Sequence, residues 1–113
     1  MTTINGQTES RLVYEIMQTL GRYGAIFRTN AGNIRLANGR TFHGLPKGFS
    51  DLLFIRPDGK AAFLECKVGK NPLSSEQEKF LQRMHDHNCI AGVVRSTEEA
   101  LELCQVIPAD AEE

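Results

Sequence analysis

Apolar residues recur every three or four positions in three segments of the chain, and this spacing predicts three helices. In the first segment Leu12, Ile16 and Leu20 lie on one stripe, which Val13 widens. Such a stripe is typical of an amphipathic helix packed on a core. The predicted helices are Glu9 to Tyr23, about Ser75 to His87, and Thr97 to Cys104.

Shorter apolar runs predict the strands. The two most apolar runs are nearly continuous, as expected of strands covered on both faces. An Asn38-Gly39 pair, a strong turn signal, joins two weaker runs into a possible hairpin. The predicted strands are Ile26 to Thr29, Ile34 to Ala37, Arg40 to His43, Leu52 to Ile55, Ala61 to Leu64 and Ile90 to Val94. Because strands follow helices, we expect parallel pairing and an α/β sandwich.

The turn between the two most apolar strands has the composition of a tight hairpin. Pro57 presets the φ angle of the second position of a type I turn, and Gly59 can take the left-handed conformation that closes a three-residue loop with a bulge. This loop pairs Arg56 with Lys60. The pairing in turn predicts the register of both strands.

Counting outward from that pair places Asp51 opposite Glu65 on one face, with Lys67 two residues further along. Opposed carboxylates repel each other, so a cation between them is expected. Carboxylate oxygens suit Mg²⁺ or Mn²⁺, which also bind phosphate oxygens. Each motif alone is common on solvated strands. The apolar runs around them favour a metal site, because charges at the ends of buried strands need partners.

Length and composition predict one compact domain over residues 1–113. The chain has 113 residues, of which 41% are hydrophobic, enough for a single core. No apolar run approaches the ~18 residues of a membrane span, and the N-terminus does not have the layout of a signal peptide. We therefore expect a cytoplasmic protein that does not contact membranes.

The cysteines and two of the histidines give no sign of a metal site. Cys66, Cys89 and Cys104 are odd in number and widely spaced, which favours buried free thiols over disulfides or zinc. His85 and His87 are two residues apart on a predicted helix and so point to different sides. We interpret both histidines as surface residues.

The net charge of −1 conceals an uneven distribution. The basic segment, which we define as Arg28 to Lys70, has eight lysines and arginines against three acidic residues. Two of those acids are the candidate metal ligands. We therefore expect a positive surface near the site that attracts phosphates, although a solvated surface of mixed charge is the alternative.

The order of these motifs resembles the PD-(D/E)XK nuclease superfamily. Gly-x-Ser-Asp at 48–51 is followed by a hairpin, Glu-x-Lys at 65–67 and a helix with Gln-x-x-Phe at 77–80. The chain is more narrowly similar to the small phage and bacterial members of the VRR-NUC family, which have segments like those at 28–32 and 92–96. The match spans Glu9 to Ser96. Ser50 replaces the superfamily's proline, a position that contributes backbone shape and no chemistry.

The resemblance implies a restriction-endonuclease-like core of α-β-β-β-α-β type, with a mixed central sheet flanked by helices. It also implies that one or two Mg²⁺ or Mn²⁺ ions are held by Glu9, Asp51, Glu65 and the backbone carbonyl of Cys66. Glu9 lies on the apolar stripe of the first helix, although a first-turn acid is also favoured by the helix dipole alone. Lys67 would act beside the ion, either orienting water or stabilising charge on the phosphate.

The second helix begins with a capping box, formed by Ser74 with Gln77 or by Ser75 with Glu78. Gln77 shares its stripe with the apolar residues and so faces the sheet. The family's glutamine at this place supports the site, which implies a positioning role for Gln77 within the catalytic set of Asp51, Glu65, Lys67 and Gln77.

The implied function is cleavage of DNA phosphodiester bonds. We expect structure-selective cleavage of branched, flapped or four-way junction DNA, because the chain has no room for a separate domain that reads bases. The predicted DNA-binding residues are Arg28, Asn30, Arg35, Arg40, Lys47 and Lys70. A homodimer is expected, since cutting two strands requires two sites. The alternative is a nucleic-acid-binding module that has the fold without the chemistry.

Overall fold

The computed structural model describes residues 3–4, 7–29 and 33–107. The helices are α1 (Glu9–Leu20), α2 (Ser75–Asp86) and α3 (Thr97–Leu103). The strands are β1 (Thr3–Ile4), β2 (Gln7–Thr8), β3 (Ala25–Arg28), β4 (Asn33–Arg35), β5 (Thr41–His43), β6 (Leu52–Ile55), β7 (Ala61–Cys66) and β8 (Ile90–Val94). Leaving out the two small hairpins, the order is α1-β3-β6-β7-α2-β8-α3, which contains the predicted α-β-β-β-α-β core and confirms the predicted fold class.

The central sheet is mixed and has the strand order β3-β6-β7-β8. β6 is antiparallel to both β3 and β7, whereas β7 and β8 are parallel. The parallel pair is joined through α2, as a crossover requires. The weaker predicted hairpin is also present as β4 and β5, paired antiparallel. The sequence therefore predicted every strand of the central sheet, with bounds shifted by one or two residues.

The register of β6 on β7 is the one that the turn predicted. Ile55 pairs with Ala61 and Leu53 with Phe63. The Arg56 N–H donates to the Lys60 carbonyl at 2.9 Å. Gly59 has φ +88°, which lies in the left-handed region that glycine adopts without strain. The turn chemistry thus sets the register, because it allows one loop length.

The core lies between the sheet and the pair α1 and α3. It contains Leu12, Ile16 and Leu20 of α1 together with Phe54 and Leu64 of the sheet, all fully buried. α2 covers the other face, where burial alternates along β6 and residues such as Leu53 are only half-buried. The prediction that these strands are covered on both faces is therefore wrong in part, because a single helix cannot cover a four-stranded sheet.

Two further predictions need correction. α1 ends at Leu20 and not at Tyr23. The Gly21 N–H still donates to the Met17 carbonyl, four residues back, but the Tyr23 N–H donates to the Leu20 carbonyl, three residues back, and so closes a tight turn. Of the three free cysteines, two are buried and Cys89 is only partly so. No helix among the described residues is long and apolar enough to cross a membrane.

Candidate metal centre and DNA-binding surface

The open end of the β6–β7 hairpin brings the predicted carboxylates together. Asp51 precedes β6, and its carbonyl accepts from the Thr29 N–H at 2.9 Å, so its backbone is tied to the neighbouring strand. Its side chain turns the other way: Oδ2 accepts from the Cys66 N–H at 2.8 Å. The Asp51 carboxylate therefore satisfies a backbone N–H at the end of the β6–β7 pairing, where a backbone carbonyl would otherwise accept the hydrogen bond.

Three carboxylates converge at this point. Glu9, Asp51 and Glu65 each offer an oxygen within 4.8 Å of the others. Glu9 lies in the first turn of α1. The helix begins there because the Thr8 side chain caps it, accepting from the Arg11 N–H at 3.1 Å. Glu65 lies in β7 and is only 2% exposed, whereas Glu9 and Asp51 are half-buried. The structure thus brings together the three acids that the sequence proposed as one set.

Gln77 links α2 to this cluster through both ends of its amide. Its Oε1 accepts from the Ser74 N–H at 2.8 Å as part of a capping box, and its Nε2 donates to Glu65 Oε2 at 3.0 Å. This box confirms the first of the two predicted caps. Because the cap uses the amide oxygen, the amide nitrogen is the end that faces Glu65, and the helix start orients the carboxylate.

The other oxygen of Glu65 is left without a partner. Glu65 Oε1 is buried and has no hydrogen-bond partner among the described residues. A buried carboxylate oxygen without a donor is costly. Burial, followed by the neighbouring Asp51 carboxylate, raises the pKa of Glu65 to about 8, and the Lys67 charge opposes that rise only in part. Without a cation, the cluster therefore favours a protonated Glu65 over two neighbouring carboxylate charges.

These observations test whether the residues fit a divalent metal ion. The donor set consists of hard carboxylate oxygens, which Mg²⁺ and Mn²⁺ prefer, and one of them is an orphaned buried oxygen. The Cys66 N–H points to the Asp51 side of β7. Since the N–H and C=O of a residue in an extended strand point to the same side, the Cys66 carbonyl points there too. The residues fit the ion.

Cys66 itself contributes no reactive thiol. Burial, and then the three surrounding carboxylates, raise the pKa of the Cys66 thiol, while the charge of Arg28 opposes that rise. The thiol stays protonated and packs in the core. Arg28 ends β3 and pairs with Leu52, the residue that follows Asp51.

The segment after β7 carries Lys67 and is held by Arg95. The Lys67 N–H donates to the Val94 carbonyl at 3.2 Å, which continues the pairing with β8 past the end of the strand. Arg95 then donates from Nη1 to the Gly69 carbonyl at 2.7 Å, while its own N–H donates to Glu99 at 2.9 Å. Arg95 thus joins the Lys67 segment to the start of α3.

Of the predicted DNA-binding residues, the five that the structure describes, Arg28, Arg35, Arg40, Lys47 and Lys70, are all exposed. Arg35 and Arg40 flank the β4–β5 turn, and Lys70 follows the Lys67 segment. Lys47 lies 3.9 Å from Glu76 of α2 and is 83% exposed. Asn30 lies outside the described residues.

Two members of the basic segment do not belong to this surface. Arg56 and Lys60 lie at the closed end of the hairpin, opposite to Asp51 and Glu65. Arg56 forms an ion pair with Asp58, and Lys60 donates to the Asn88 carbonyl. The charge count along the sequence therefore overstated the positive charge near the cluster, because a hairpin separates residues that are close in sequence.

Sequence reasoning gave no role to Arg95 or Thr29 and gave Ser50 a position that shapes the backbone; the structure shows contacts of all three near the site. The Thr29 hydroxyl donates to the Ser50 carbonyl, and the Ser50 hydroxyl donates to the Leu52 carbonyl at 3.1 Å. Ser50 is fully buried and bends the chain into β6. The signal for Arg95 was present, since it lies in a segment that resembled the family, but its partner is 26 residues away.

Comparison with known proteins agrees with the fold. The sequence profile of the VRR-NUC domain matches residues 5–98, so the chain belongs to the VRR-NUC family of PD-(D/E)XK-like nucleases. A solved structure described as a VRR-NUC domain superposes with a TM-score of 0.60 at 22% identity, covering 86% of this chain and 94% of that chain. At this identity the likeness concerns the fold. No curated protein matches significantly.

Proposed function

We propose that this protein is a Mg²⁺- or Mn²⁺-dependent DNA endonuclease that hydrolyses phosphodiester bonds. The observation that carries the proposal is the buried, unpartnered Oε1 of Glu65 within a cluster of three carboxylates. Unrelieved charge of this kind marks functional sites more often than structural ones. Membership of a nuclease family supports the same interpretation.

In this proposal Glu9, Asp51, Glu65 and the Cys66 carbonyl hold one or two divalent ions. The ion would polarise the scissile phosphate and lower the pKa of a bound water molecule. Gln77 is a positioning residue, because it holds Glu65 Oε2 and so leaves Oε1 directed to the ligand. Asp51 is positioned in the same way by the Cys66 N–H.

Lys67 supplies the positive charge next to the carboxylates. Its effect on the pKa of Glu65 shows that its charge acts on the cluster. An ammonium group there either orients the attacking water or stabilises the charge that grows on the phosphate oxygens. In both roles Lys67 acts without being consumed, and its removal leaves the metal ligands in place.

We propose that DNA is bound by Asn30 and by five exposed cations, Arg28, Arg35, Arg40, Lys47 and Lys70. Contacts of this kind go to phosphates and contain little sequence information. We therefore propose selection by DNA structure, with branched, flapped or four-way junction DNA as substrates. Incubation of the purified protein with a labelled panel of these structures and Mg²⁺ or Mn²⁺ tests this directly.

Three results of that experiment are informative. Cleavage that needs the metal and favours branched DNA supports the proposal. Equal cleavage of linear and branched DNA leaves the nuclease and removes the structure selectivity. Binding without cleavage in either metal contradicts the proposal and favours the alternative, a nucleic-acid-binding module with the same fold.

We further propose that the protein acts as a homodimer, because cutting two strands of one substrate needs two sites in related positions. The β4–β5 turn and the segment from Gly69 to Leu73 are the candidate contacts between the two copies. Light scattering with and without a four-way junction measures the mass. A monomer in both conditions would exclude the dimer and leave an enzyme that nicks one strand per encounter.

A further inference from the structure

A groove with no role in the metal centre lies beside α2. It encloses about 530 Å³ between the helix and the segment from Pro46 to Phe49. Phe49 and Phe80 form its apolar wall, and Lys79 and Arg83 of α2 form part of its rim. Neither Lys79 nor Arg83 belongs to the set of cations assigned to DNA above.

The groove is a fixed part of the fold. Gly48 has φ +92° and lies so close to α2 that a Cβ atom there would be 2.7 Å from the Glu76 carbonyl oxygen. The Phe49 N–H donates to the Pro46 carbonyl at 3.1 Å, which tightens the same segment. The Phe49 ring then lies 4.3 Å, between centroids, from the ring of Phe80. Only glycine permits this approach, so the segment and the helix stay together.

The rim of the groove has an excess of positive charge. Lys47 and Glu76 lie 3.9 Å apart and neutralise each other in part. Glu76 also interacts electrostatically with Lys79, so the groove has three cations, Lys47, Lys79 and Arg83, against one acid. Lys79 and Arg83 are exposed and lie one helical turn apart, next to half-buried aromatic rings, an arrangement that matches a ligand with phosphates and flat apolar faces.

The groove lies beside the strand that carries Glu65. The rings of Phe49 and Phe80 contact the ring of Phe63, with centroids 5.9 and 5.6 Å apart, and Phe63 is two residues before Glu65 in β7. A DNA strand whose phosphate lies at the carboxylates would therefore have its neighbouring nucleotides on the side of the groove. In a base-paired duplex those bases are stacked inside the helix and cannot contact the rings.

We propose that this groove binds unpaired nucleotides of the cleaved DNA strand, with Lys79 and Arg83 contacting phosphates and Phe49 and Phe80 contacting a base. The inference rests on the proposed function, because its consequence is that the nuclease prefers DNA with a single-stranded segment. Stacking on an aromatic ring tolerates any base, so the groove selects unpaired structure and not sequence.

Binding measured by fluorescence anisotropy in EDTA tests the groove independently of cleavage. The probes are a blunt duplex and the same duplex with a short single-stranded tail. We expect the tail to increase the affinity for DNA. In the double variant Lys79→Gln with Arg83→Gln, the affinity gained from the tail should be roughly fivefold to tenfold smaller. The salt slope for the tailed probe should also fall by about 0.7 for each lost contact to the single strand. The matched control, Arg11→Gln with Arg22→Gln, removes the same charge from around α1 on the other side of the sheet.

A second measurement reports on the rings. A 2-aminopurine base in the tail should lose fluorescence on binding, and Phe80→Leu should restore much of it, while Met84→Leu in the same helix should not. Thermal unfolding of each variant shows whether it is folded. If Phe80→Leu does not fold, the Lys79 and Arg83 variant still decides the matter by binding.

Equal losses of affinity for the blunt and the tailed probe, or equal losses in the variant and its control, would overturn the inference. Cleavage by the unchanged protein in Mg²⁺ is measured in parallel. Cleavage without any preference for the tail overturns the groove and leaves the nuclease standing. A tail preference in EDTA without cleavage in any metal overturns the proposed function and leaves only binding of unpaired DNA.

Discussion

The two ends of the β6–β7 hairpin carry charged residues of the same kinds and treat them in opposite ways. At the closed end Arg56 Nε donates to Asp58 at 3.0 Å, and this bond lowers the pKa of Asp58 to about 2. At the open end burial and a second carboxylate raise the pKa of Glu65 to about 8. The closed end pairs opposite charges, and the open end places two carboxyl groups side by side.

This difference separates structure from function within one supersecondary unit. The closed end fixes the register, and its Arg56 and Asp58, two residues apart in sequence, pair their opposite charges. The open end keeps a buried oxygen unpartnered and so depends on a ligand for relief. Proteins break the rules of charge pairing chiefly at functional sites, which is why the open end is where we place the chemistry.

The largest expected effect comes from neutralising an acid at the open end. Glu65→Gln should lower cleavage by on the order of 10³-fold, because a lost metal ligand removes several kcal/mol of charge stabilisation in the transition state. Asp51→Asn and Lys67→Ala should also abolish most cutting. The matched control is Asp58→Asn at the closed end, which makes the same chemical change. The measurement is the rate of cleavage of a labelled junction in Mg²⁺, and comparable rates for the Glu65 and Asp58 variants would contradict the assignment.

A smaller loss should follow from changing how Glu65 is held. Gln77→Glu retains an oxygen for the Ser74 N–H and so retains the capping box, but replaces the donor to Glu65 with a carboxylate. We expect metal affinity and activity to fall by about 10- to 100-fold. Metal affinity is measured by titration calorimetry with Mn²⁺.

Ser74→Ala is the control for this prediction. It removes the cap at a cost of about 1 kcal/mol in the free energy of unfolding and leaves the Gln77 amide present. If Ser74→Ala weakened metal binding as much as Gln77→Glu, the role of Gln77 would be confined to the helix start.

The pH dependence of stability should differ in sign between the two ends. Glu65 has a folded pKa of about 8 against an ordinary value of 4.5, so the metal-free folded protein binds a proton that the unfolded chain releases. Its contribution to stability is fully present below about pH 4.5 and is lost as the pH rises through about 8, by at most about 1.4 kcal/mol per pH unit. Asp58 acts in reverse: its contribution is present above pH 3.8 and is lost as the pH falls toward 2.

Urea unfolding in EDTA at a series of pH values measures both effects. Glu65→Gln should flatten the alkaline part of the profile, and Asp58→Asn should flatten the acid part. A free energy of unfolding that stays level between pH 5 and 8 in the unchanged metal-free protein would contradict the assignment for Glu65.

The smallest expected effect concerns the cations. Arg35→Gln together with Arg40→Gln should weaken binding to duplex DNA and reduce the logarithmic salt slope by about 0.9 for each lost phosphate contact. Arg56→Gln at the closed end should leave the slope unchanged and lower the temperature of unfolding, because Arg56 is paired with Asp58 and donates to the Cys104 carbonyl at 3.2 Å. Anisotropy titrations over a range of salt concentrations measure the slope. An unchanged slope in the double variant would place the DNA elsewhere.

The sequence by itself determined the β6–β7 hairpin and much of the cluster beside it. Pro57 and Gly59 favour one local turn geometry, and this turn sets the register of the two strands. Because side chains alternate with a period of two residues, the same register extends to Asp51 and Glu65 without any knowledge of the rest of the fold. The helical stripe of α1 likewise predicted that Glu9 faces inward. These features depend on local geometry, which a single sequence contains.

Only the tertiary structure decided how the charges are distributed in space. It showed that Arg56 and Lys60 lie away from the cluster and that Arg95 holds the Lys67 segment through Gly69. It also formed the groove between Gly48 and α2, whose walls are far apart in sequence. The physical reason is that these contacts join distant segments, and their geometry follows from packing the helices on the sheet and not from the local pattern of any one of them.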